Sequence, residues 1–219
     1  MKILLVSATK FEVLPLLKKG AKLSVKGALS NYRFGKHSVD VLVTGVGMTA
    51  TAFQLGKSLN KKYDLAINAG VAGSFRKNIP LGAVVNVTSD CFADLGAEDG
   101  ERFLTLAEMK LTAQSRQSAV GTKGKVPKVL SALKEVNGIT VNTVHGNAAS
   151  IKKVVKKFNP DIESMEGAAF FLACDHEKIP CVQVRAISNY VERRNKKNWK
   201  LELAIKNLNA FLEQFLKSI

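Results

Sequence analysis

The sequence has no apolar run long enough to suggest a signal segment or a membrane span. The first apolar run, residues 3–6, is soon followed by the charged residues Lys10 and Glu12. A membrane helix needs about 20 apolar residues. We therefore expect a soluble, cytoplasmic protein with no membrane partner. Internal repeats, low-complexity tracts and linkers rich in proline or serine are also lacking. The 219 residues are expected to form one domain, 1–219.

Cysteine is scarce, and its positions argue against a metal site or a disulfide framework. Cys91, Cys174 and Cys181 are odd in number, widely spaced and surrounded by apolar residues. Reduced structural thiols are the interpretation we favour. No metal and no cofactor is expected.

Acidic residues are also few. The chain has 33 Lys and Arg against 18 Asp and Glu, which gives a net charge of +15. Clustered basic residues are typical of nucleic-acid binding, but here they form short groups along the whole chain, mostly on helix faces whose other side is apolar. We therefore expect no nucleic-acid partner and keep a basic nucleic-acid-binding protein as the non-enzyme alternative. A basic surface would still attract an anionic small substrate.

Short apolar runs alternate with longer amphipathic stretches, which is the pattern of an α/β protein. Strands are predicted at 2–8, 39–44, 65–69, 84–88, 139–143 and 182–187, and helices at 48–59, 127–136, 167–176 and 198–216. Segments 91–117 and 121–125 are less periodic and are predicted to be loops.

Two glycine-rich segments follow predicted strands, and we interpret them as turns that bring backbone N–H groups close to a ligand. The first contains Gly47, and the second contains Gly70, Val71 and Ala72. A dinucleotide fingerprint is disfavoured because the third glycine and a later acidic residue are missing. The spacing of a phosphate-binding NTPase loop is also missing. Tight turns without a ligand remain the alternative.

The order of several elements is more informative than any one of them. Glu12 follows the first strand, the two glycine segments come next, Met165 and Glu166 precede a helix, and Ser188 and Asn189 end the last strand. Together with segments 94–100 and 187–192, this order resembles the purine nucleoside phosphorylase and nucleosidase superfamily, most closely the futalosine hydrolases. The resemblance implies a three-layer α/β/α sandwich with a central mixed sheet, a purine nucleoside substrate and a homodimer or larger homo-oligomer.

The resemblance also implies roles for these residues. Cleavage of a purine N9–C1′ bond needs an activated water, a sugar clamp and a pocket that binds the base. Glu12 matches the carboxylate that orients and deprotonates water, and Glu166 matches the residue that binds the ribose hydroxyls. Met165 would pack under the sugar or belong to the core, and Ser188 is a further predicted substrate-binding residue.

Asn189 departs from the pattern of nucleosidases that act on 6-aminopurines, where the matching position resembles an aspartate that can protonate N7. An amide has no such proton, but its NH₂ can donate to O6 of a 6-oxopurine. We therefore predict release of hypoxanthine from futalosine, with the proton donor to the purine unassigned. The alternatives are a methylthioadenosine/S-adenosylhomocysteine nucleosidase, a 6-oxopurine phosphorylase, or an Asn189 that merely caps a strand.

Phosphate use is disfavoured because Arg33 and Arg76 stand in no phosphate-binding motif and a carboxylate at Glu12 would repel the dianion. The 5′ side of the substrate remains open. Its candidate contacts are Phe92, Arg102, Tyr190 and Trp199. His145, in the loop expected to cover the purine, is either a site residue or only a loop residue.

Overall fold

The computed structural model of the chain describes residues 1–59, 62–114, 117–118 and 127–219. The strands are β1 (Lys2–Ser7), β2 (Ala21–Lys26), β3 (Leu29–Phe34), β4 (His37–Val43), β5 (Leu65–Ser74), β6 (Val84–Asp90), β7 (Gly96–Asp99), β8 (Arg102–Thr105), β9 (Gln117–Ser118), β10 (Lys134–Thr140), β11 (Ile162–Ser164) and β12 (Cys181–Tyr190). The helices are α1 (Lys10–Leu17), α2 (Met48–Ser58), α3 (Lys128–Ser131), α4 (Ala148–Phe158), α5 (Gly167–Glu177) and α6 (Leu201–Ser218), and a short 3-10 turn spans Lys196–Asn198.

One mixed sheet runs through the molecule in the order β11-β10-β6-β12-β5-β1-β4-β3-β2, with β9 paired to β6. β11 also pairs with β5, so the sheet folds back on itself at one end and is partly closed. Strands β1, β4, β5 and β12 are joined by parallel pairings. Their carboxyl ends therefore meet at one edge, where α/β proteins usually bind ligands.

The alternation of side chains along the strands produces two apolar layers. Ile3 and Leu5 of β1 face a cluster that includes residues of α1 and α6, whereas Leu4 and Val6 face a cluster that includes Leu55 of α2 and residues of α5. Helices thus cover both faces of the sheet. The predicted three-layer sandwich with a mixed central sheet is confirmed.

The predicted helix at 127–136 is wrong beyond its first turn. The helix α3 ends at Ser131, and Val136 lies in β10, which pairs parallel to both β6 and β11. Sheet pairing outweighs the weak helical pattern of this segment. The loop predicted at 91–117 contains the β7–β8 hairpin, and the loop predicted at 121–125 lies outside the described residues.

The second glycine-rich segment is a strand, which corrects its prediction as a turn. Gly70, Val71 and Ala72 continue β5, which pairs with β12 as far as Ser74. The first segment is a turn as predicted, since Gly45 and Gly47 have φ angles of 86° and 98°, a region that favours glycine.

The described residues carry no feature of a membrane span or a metal centre. No helix among them is both long and apolar enough to cross a membrane, and no cluster of three or more His, Cys, Asp or Glu could hold a metal ion. The three cysteines are buried.

The helix α1 was not predicted, although its sequence contains the Thr-x-x-Glu spacing of an N-terminal capping box. The helix is tied to α6 by the buried amide of Asn209. Its Oδ1 accepts from the Leu16 backbone N–H at 2.8 Å, and its Nδ2 donates to the Glu12 carbonyl at 2.8 Å. These two backbone groups would bond each other in a regular helix. Asn209 therefore fixes the turn that carries Glu12.

We expect Asn209→Ala to lower the free energy of unfolding by about 2–3 kcal/mol, because two buried backbone groups of α1 lose their partner. Urea unfolding followed by circular dichroism measures this. The control is Asn207→Ala, which removes a single hydrogen bond, from Nδ2 to the Gly82 carbonyl at 2.8 Å. Equal losses in the two variants would contradict a special role of the buried amide.

Candidate active site

A cavity of about 680 Å³ opens at the edge where the parallel strands end, a size typical of small-molecule sites. Its wall contains residues that follow β1 and β4, the last residues of β5 and β12, and the β11–α5 junction. Five of the predicted site residues with polar or sulphur-containing side chains lie in this wall: Glu12, Met165, Glu166, Ser188 and Asn189.

Glu12 is buried, and its carboxylate is held by four hydrogen bonds. Oε2 accepts from the Ser7 hydroxyl at 3.2 Å, and from the Thr9 backbone N–H and hydroxyl at 2.9 and 3.0 Å. Oε1 accepts from the Val71 N–H at 3.1 Å. Oε1 accepts only this one hydrogen bond among the described contacts, and a carboxylate oxygen has two lone pairs, so Oε1 keeps room for one more donor. That atom can bind a water molecule.

Glu166 lies 5% exposed at the start of α5 and spans two partners. Oε1 accepts from the Gly47 N–H at 3.1 Å, and Oε2 faces Nη1 of the buried Arg185 at 3.3 Å. Arg185 supplies the opposite charge that a buried carboxylate needs. Each oxygen of Glu166 retains capacity for a further hydrogen bond, such as one from a sugar hydroxyl.

The glycines of the predicted site lie behind this wall. Gly47 supplies its N–H to Glu166. A Cβ on Gly70 would lie 2.9 Å from Glu12 Oε1 and would overlap Nη1 of Arg185. Val71 and Ala72 lie in the cavity wall itself. Gly70 is therefore a close-approach position for side chains of this protein, and the predicted approach of a ligand to it stays a prediction.

Ser188 orients the amide of Asn189. The Ser188 hydroxyl donates to Asn189 Oδ1 at 2.8 Å, and Asn189 Nδ2 donates to the Tyr190 carbonyl at 3.1 Å. This contact fixes the oxygen toward the serine and leaves one N–H of the NH₂ group for a ligand.

Two titratable residues that the sequence left open or missed also line the cavity. Glu163 of β11 is 4% exposed, and its Oε2 lies 2.7 Å from Nδ1 of His145. Glu163 was not predicted because nothing in its sequence context distinguishes it from Glu166, three residues later. His145 was named, and its contact with a buried carboxylate places it in the wall of the site.

The mouth of the cavity is basic and aromatic. Of the four candidates for the 5′ side, Tyr190 and Trp199 line the cavity, whereas Phe92 and Arg102 are absent from its described lining. Lys77, Arg193 and Arg194 join them, with the Arg194 guanidinium 5.3 Å from the centre of the Trp199 ring. The sequence signal was the Arg193-Arg194 pair shortly after the last strand.

Glu192 is an acidic residue at the mouth of the cavity. Hydrogen bonds from Lys77 and then from Asn198 lower the pKa of Glu192 below that of a free glutamate. It is therefore ionised at neutral pH and neutralises one of the three cations. The mouth keeps an excess of positive charge.

Comparison with known proteins identifies the family. The sequence profile of the phosphorylase superfamily matches residues 2–217. The chain belongs to the phosphorylase superfamily.

Individual members agree with this assignment. The chain is 29% identical to the futalosine hydrolase of Streptomyces coelicolor over 182 residues, which cover 76% of this chain and 73% of that protein. It is 27% identical to the futalosine hydrolase of Thermus thermophilus, with 80% of each chain covered. The fold matches that of a variant of the 5′-methylthioadenosine/S-adenosylhomocysteine nucleosidase (MTAN) of Helicobacter pylori with 5′-methylthioadenosine in the active site. The TM-score is 0.82 at 17% identity, and the match covers 100% of this chain and 99% of that chain. The predicted family is confirmed.

In this superfamily member, Gly70→Ala should place a methyl group against two buried side chains, Arg185 and Glu12. We expect a loss of about 2–4 kcal/mol in the free energy of unfolding, because a methyl group would overlap Arg185 in a packed interior. Thermal melting measures it. The matched control is Gly56→Ala in α2, where an added Cβ has no heavy atom within 4 Å and stability should stay the same or rise. A Gly70→Ala protein as stable as the control would contradict the close approach.

Proposed function

We propose that this chain hydrolyses the N-glycosidic bond of futalosine, releasing hypoxanthine and dehypoxanthine futalosine in menaquinone biosynthesis. The observation that carries the proposal is that Glu12, Glu166 and Asn189, far apart in sequence, line one nucleoside-sized cavity. The two relatives named futalosine hydrolases support the substrate. The proposed enzyme is a single nucleosidase domain over residues 1–219 that works as a homodimer or larger homo-oligomer.

Glu12 is the proposed base. A water bound at Oε1 attacks C1′ while its proton passes to the carboxylate, and the C1′–N9 bond breaks with its electron pair on the purine. The donors from Ser7, Thr9 and Val71 hold the carboxylate in place. The carboxylate would therefore face C1′ as the ribose ring becomes positive, which stabilises that charge until the proton is transferred.

Glu166 is the proposed ribose clamp. Its two oxygens are fixed by Gly47 and Arg185, so its remaining lone pairs point in set directions toward the cavity. Accepting hydrogen bonds from ribose hydroxyls there would hold C1′ against the water on Glu12. Met165 precedes it in the wall and provides an apolar floor for the sugar.

Asn189 is the proposed base reader. Its oxygen is occupied by Ser188, so the group it presents to a purine is a donor. A donor pairs with the O6 carbonyl of hypoxanthine and is mismatched with the amino group of adenine, which is itself a donor. A mismatch of this kind costs about 1–3 kcal/mol.

The basic mouth supports a substrate that is anionic on its 5′ side. Futalosine carries an aryl-ketone carboxylate there, which Lys77, Arg193 and Arg194 could attract and which Tyr190 and Trp199 could contact through its ring. Methylthioadenosine has no such charge.

Hydrolysis is favoured over phosphorolysis by the placement of the arginines. Arg76 is engaged with the carboxylate of Asp161 at 2.9 Å and with Asn159. Arg185 faces Glu166, and Arg33 lies away from the cavity among the residues of β3. Because Arg76 and Arg185 are already paired with carboxylates, neither is free to bind a phosphate nucleophile.

Product analysis tests the proposal. The protein is incubated with futalosine, aminofutalosine, methylthioadenosine and inosine, each with and without phosphate. We expect futalosine to be cleaved fastest, with free hypoxanthine and no phosphate dependence. Glu12→Gln should lower kcat by about 10²–10⁴-fold and leave the Kd for futalosine nearly unchanged, while the surface variant Glu213→Gln should match wild type. Faster cleavage of the 6-amino nucleosides, or a need for phosphate, would refute the assignment.

A separate prediction concerns the base reader. Asn189→Asp removes the donor that faces O6, so the ratio of kcat/KM for futalosine to that for aminofutalosine should fall about 10-fold or more. The control is Asn198→Asp, which introduces the same charge at the mouth of the cavity. The Asn198 Nδ2 atom lies 3.4 Å from Glu192 Oε1, and this substitution should leave the ratio unchanged. An unaltered ratio in Asn189→Asp would mean that another group reads position 6.

A further inference from the structure

The proposed reaction lacks one component, a proton for the departing purine. When the C1′–N9 bond breaks, its electron pair leaves hypoxanthine as an anion unless the ring is protonated. The amide of Asn189 has no proton to transfer at neutral pH. Glu12 gains a proton from water and does not supply one. A different group of the cavity must therefore act as the acid.

His145 is held in the cavity wall by two contacts with one carboxylate. Glu163 Oε1 accepts from the His145 backbone N–H at 3.0 Å, and Glu163 Oε2 lies 2.7 Å from Nδ1. The ring also meets Phe75 edge-on, with centroids 6.4 Å apart. Because Nδ1 is engaged with Glu163, the nitrogen left for a ligand is Nε2. A surface histidine that served only as a loop residue would not need a carboxylate that is 4% exposed.

The histidine pair lies beside the proposed base reader. Gly73 of β5 pairs with Glu163 of the neighbouring strand β11 and with Asn189 of the other neighbouring strand, β12. A Cβ on Gly73 would lie 3.1 Å from Asn189 Nδ2 and 3.6 Å from Glu163 Cγ. The absence of that side chain leaves both residues next to the same space, at the end of the cavity assigned to the purine.

We propose that His145 is the general acid, which transfers a proton from Nε2 to N7 of the leaving hypoxanthine, and that Glu163 is its positioning residue. This rests on the proposed function. N7 and O6 lie on the same edge of the purine, so a base held at O6 by Asn189 presents N7 to a neighbouring donor.

The step balances without any further reactant. Water loses a proton to Glu12 and forms the new bond to C1′, and the C1′–N9 pair moves into the purine as N7 takes the proton of His145. Hypoxanthine leaves neutral. Glu12 then loses its proton to solvent, and His145 regains one.

The surroundings of His145 suit this cycle. Glu163 of β11 is a charged group that faces its ring, so a ring carrying both protons would form a neutral pair with the carboxylate inside the wall. From the mouth, Arg194 approaches the next residue, with its backbone N–H 3.3 Å from the Gly146 carbonyl. The His145 side chain remains 16% exposed, which leaves a route for proton exchange.

The test compares leaving groups that do and do not need a proton. The purine nucleoside that wild type cleaves best is compared with 4-nitrophenyl β-D-ribofuranoside, whose nitrophenolate leaves unprotonated, and with 7-methylinosine, whose N7 is already blocked. In His145→Gln, kcat for the purine nucleoside should fall about 100-fold or more. Turnover of at least one of the two activated substrates should stay within about threefold of wild type.

The matched control is His176→Gln. His176 also pairs with a glutamate, its Nδ1 lying 3.2 Å from Glu177 Oε1, but its side chain is 83% exposed on α5. This variant should resemble wild type on every substrate. Glu163→Gln should show the selectivity of His145→Gln with a smaller loss, because the glutamine keeps an acceptor for the backbone N–H.

Two results would overturn the proposal. If His145→Gln loses kcat equally on the purine nucleoside and on both activated substrates, His145 is a structural residue. If its kcat on the purine nucleoside stays within about threefold of wild type, His145 takes no part in the reaction. The proposed function fails separately. If wild type prefers methylthioadenosine, the futalosine assignment falls, and the same comparison run with methylthioadenosine still decides whether His145 is the acid.

Discussion

A buried guanidinium group packs against the central sheet, and its contacts position several residues of the candidate site. Arg185 of β12 is 1% exposed, and its side chain crosses β5 at Gly70. Its Nε donates to Gln183 Oε1 at 3.0 Å, its Nη2 donates to Asn68 Oδ1, and its Nη1 faces Glu166. A buried charge of this kind is tolerated only when its donors are satisfied and an opposite charge is close. The requirement fixes glycine at 70 and a carboxylate at 166.

The same polar network continues into the helix that carries Glu166. Gln183 Nε2 donates to Asp90 Oδ2 at 3.3 Å, and Asp90 Oδ1 accepts from the Thr140 hydroxyl at 2.9 Å. That hydroxyl in turn accepts from the Ala168 N–H at 2.8 Å, in the first turn of α5. A Cβ on Gly167 would overlap both Asp90 and Gln183. The start of α5 is thereby tied to several strands, which holds the proposed ribose clamp within a narrow range of positions.

The sequence predicted the layers because they depend on local patterns, whereas the candidate site residues came from the order of several motifs along the chain, which resembles the family. Apolar runs such as 182–187 and the helical pattern of 167–176 predicted β12 and α5 nearly to their ends. The predicted helix around Val136 was wrong because this segment becomes a strand only by pairing with β6 and β11, which are distant in sequence. The turn predicted at the glycine segment 70–73 was wrong for a related reason. Its glycines accommodate Arg185, Asn189 and Glu163, and only the folded sheet brings those side chains together.

The structure assigns different environments to two carboxylates that look alike in the sequence. Glu12 accepts its hydrogen bonds from hydroxyl and backbone donors. Arg185 also lies next to Gly70 but keeps Glu166 as its partner, so a proton taken up by Glu12 leaves no buried charge without a partner. Glu166 is paired with Arg185, and its protonation would leave a buried guanidinium without its opposite charge, which costs several kcal/mol. This contrast supports the proposed roles of Glu12 as the base and Glu166 as the ribose clamp. Because the two side chains are chemically identical, the difference between them comes from the neighbours that the sheet provides.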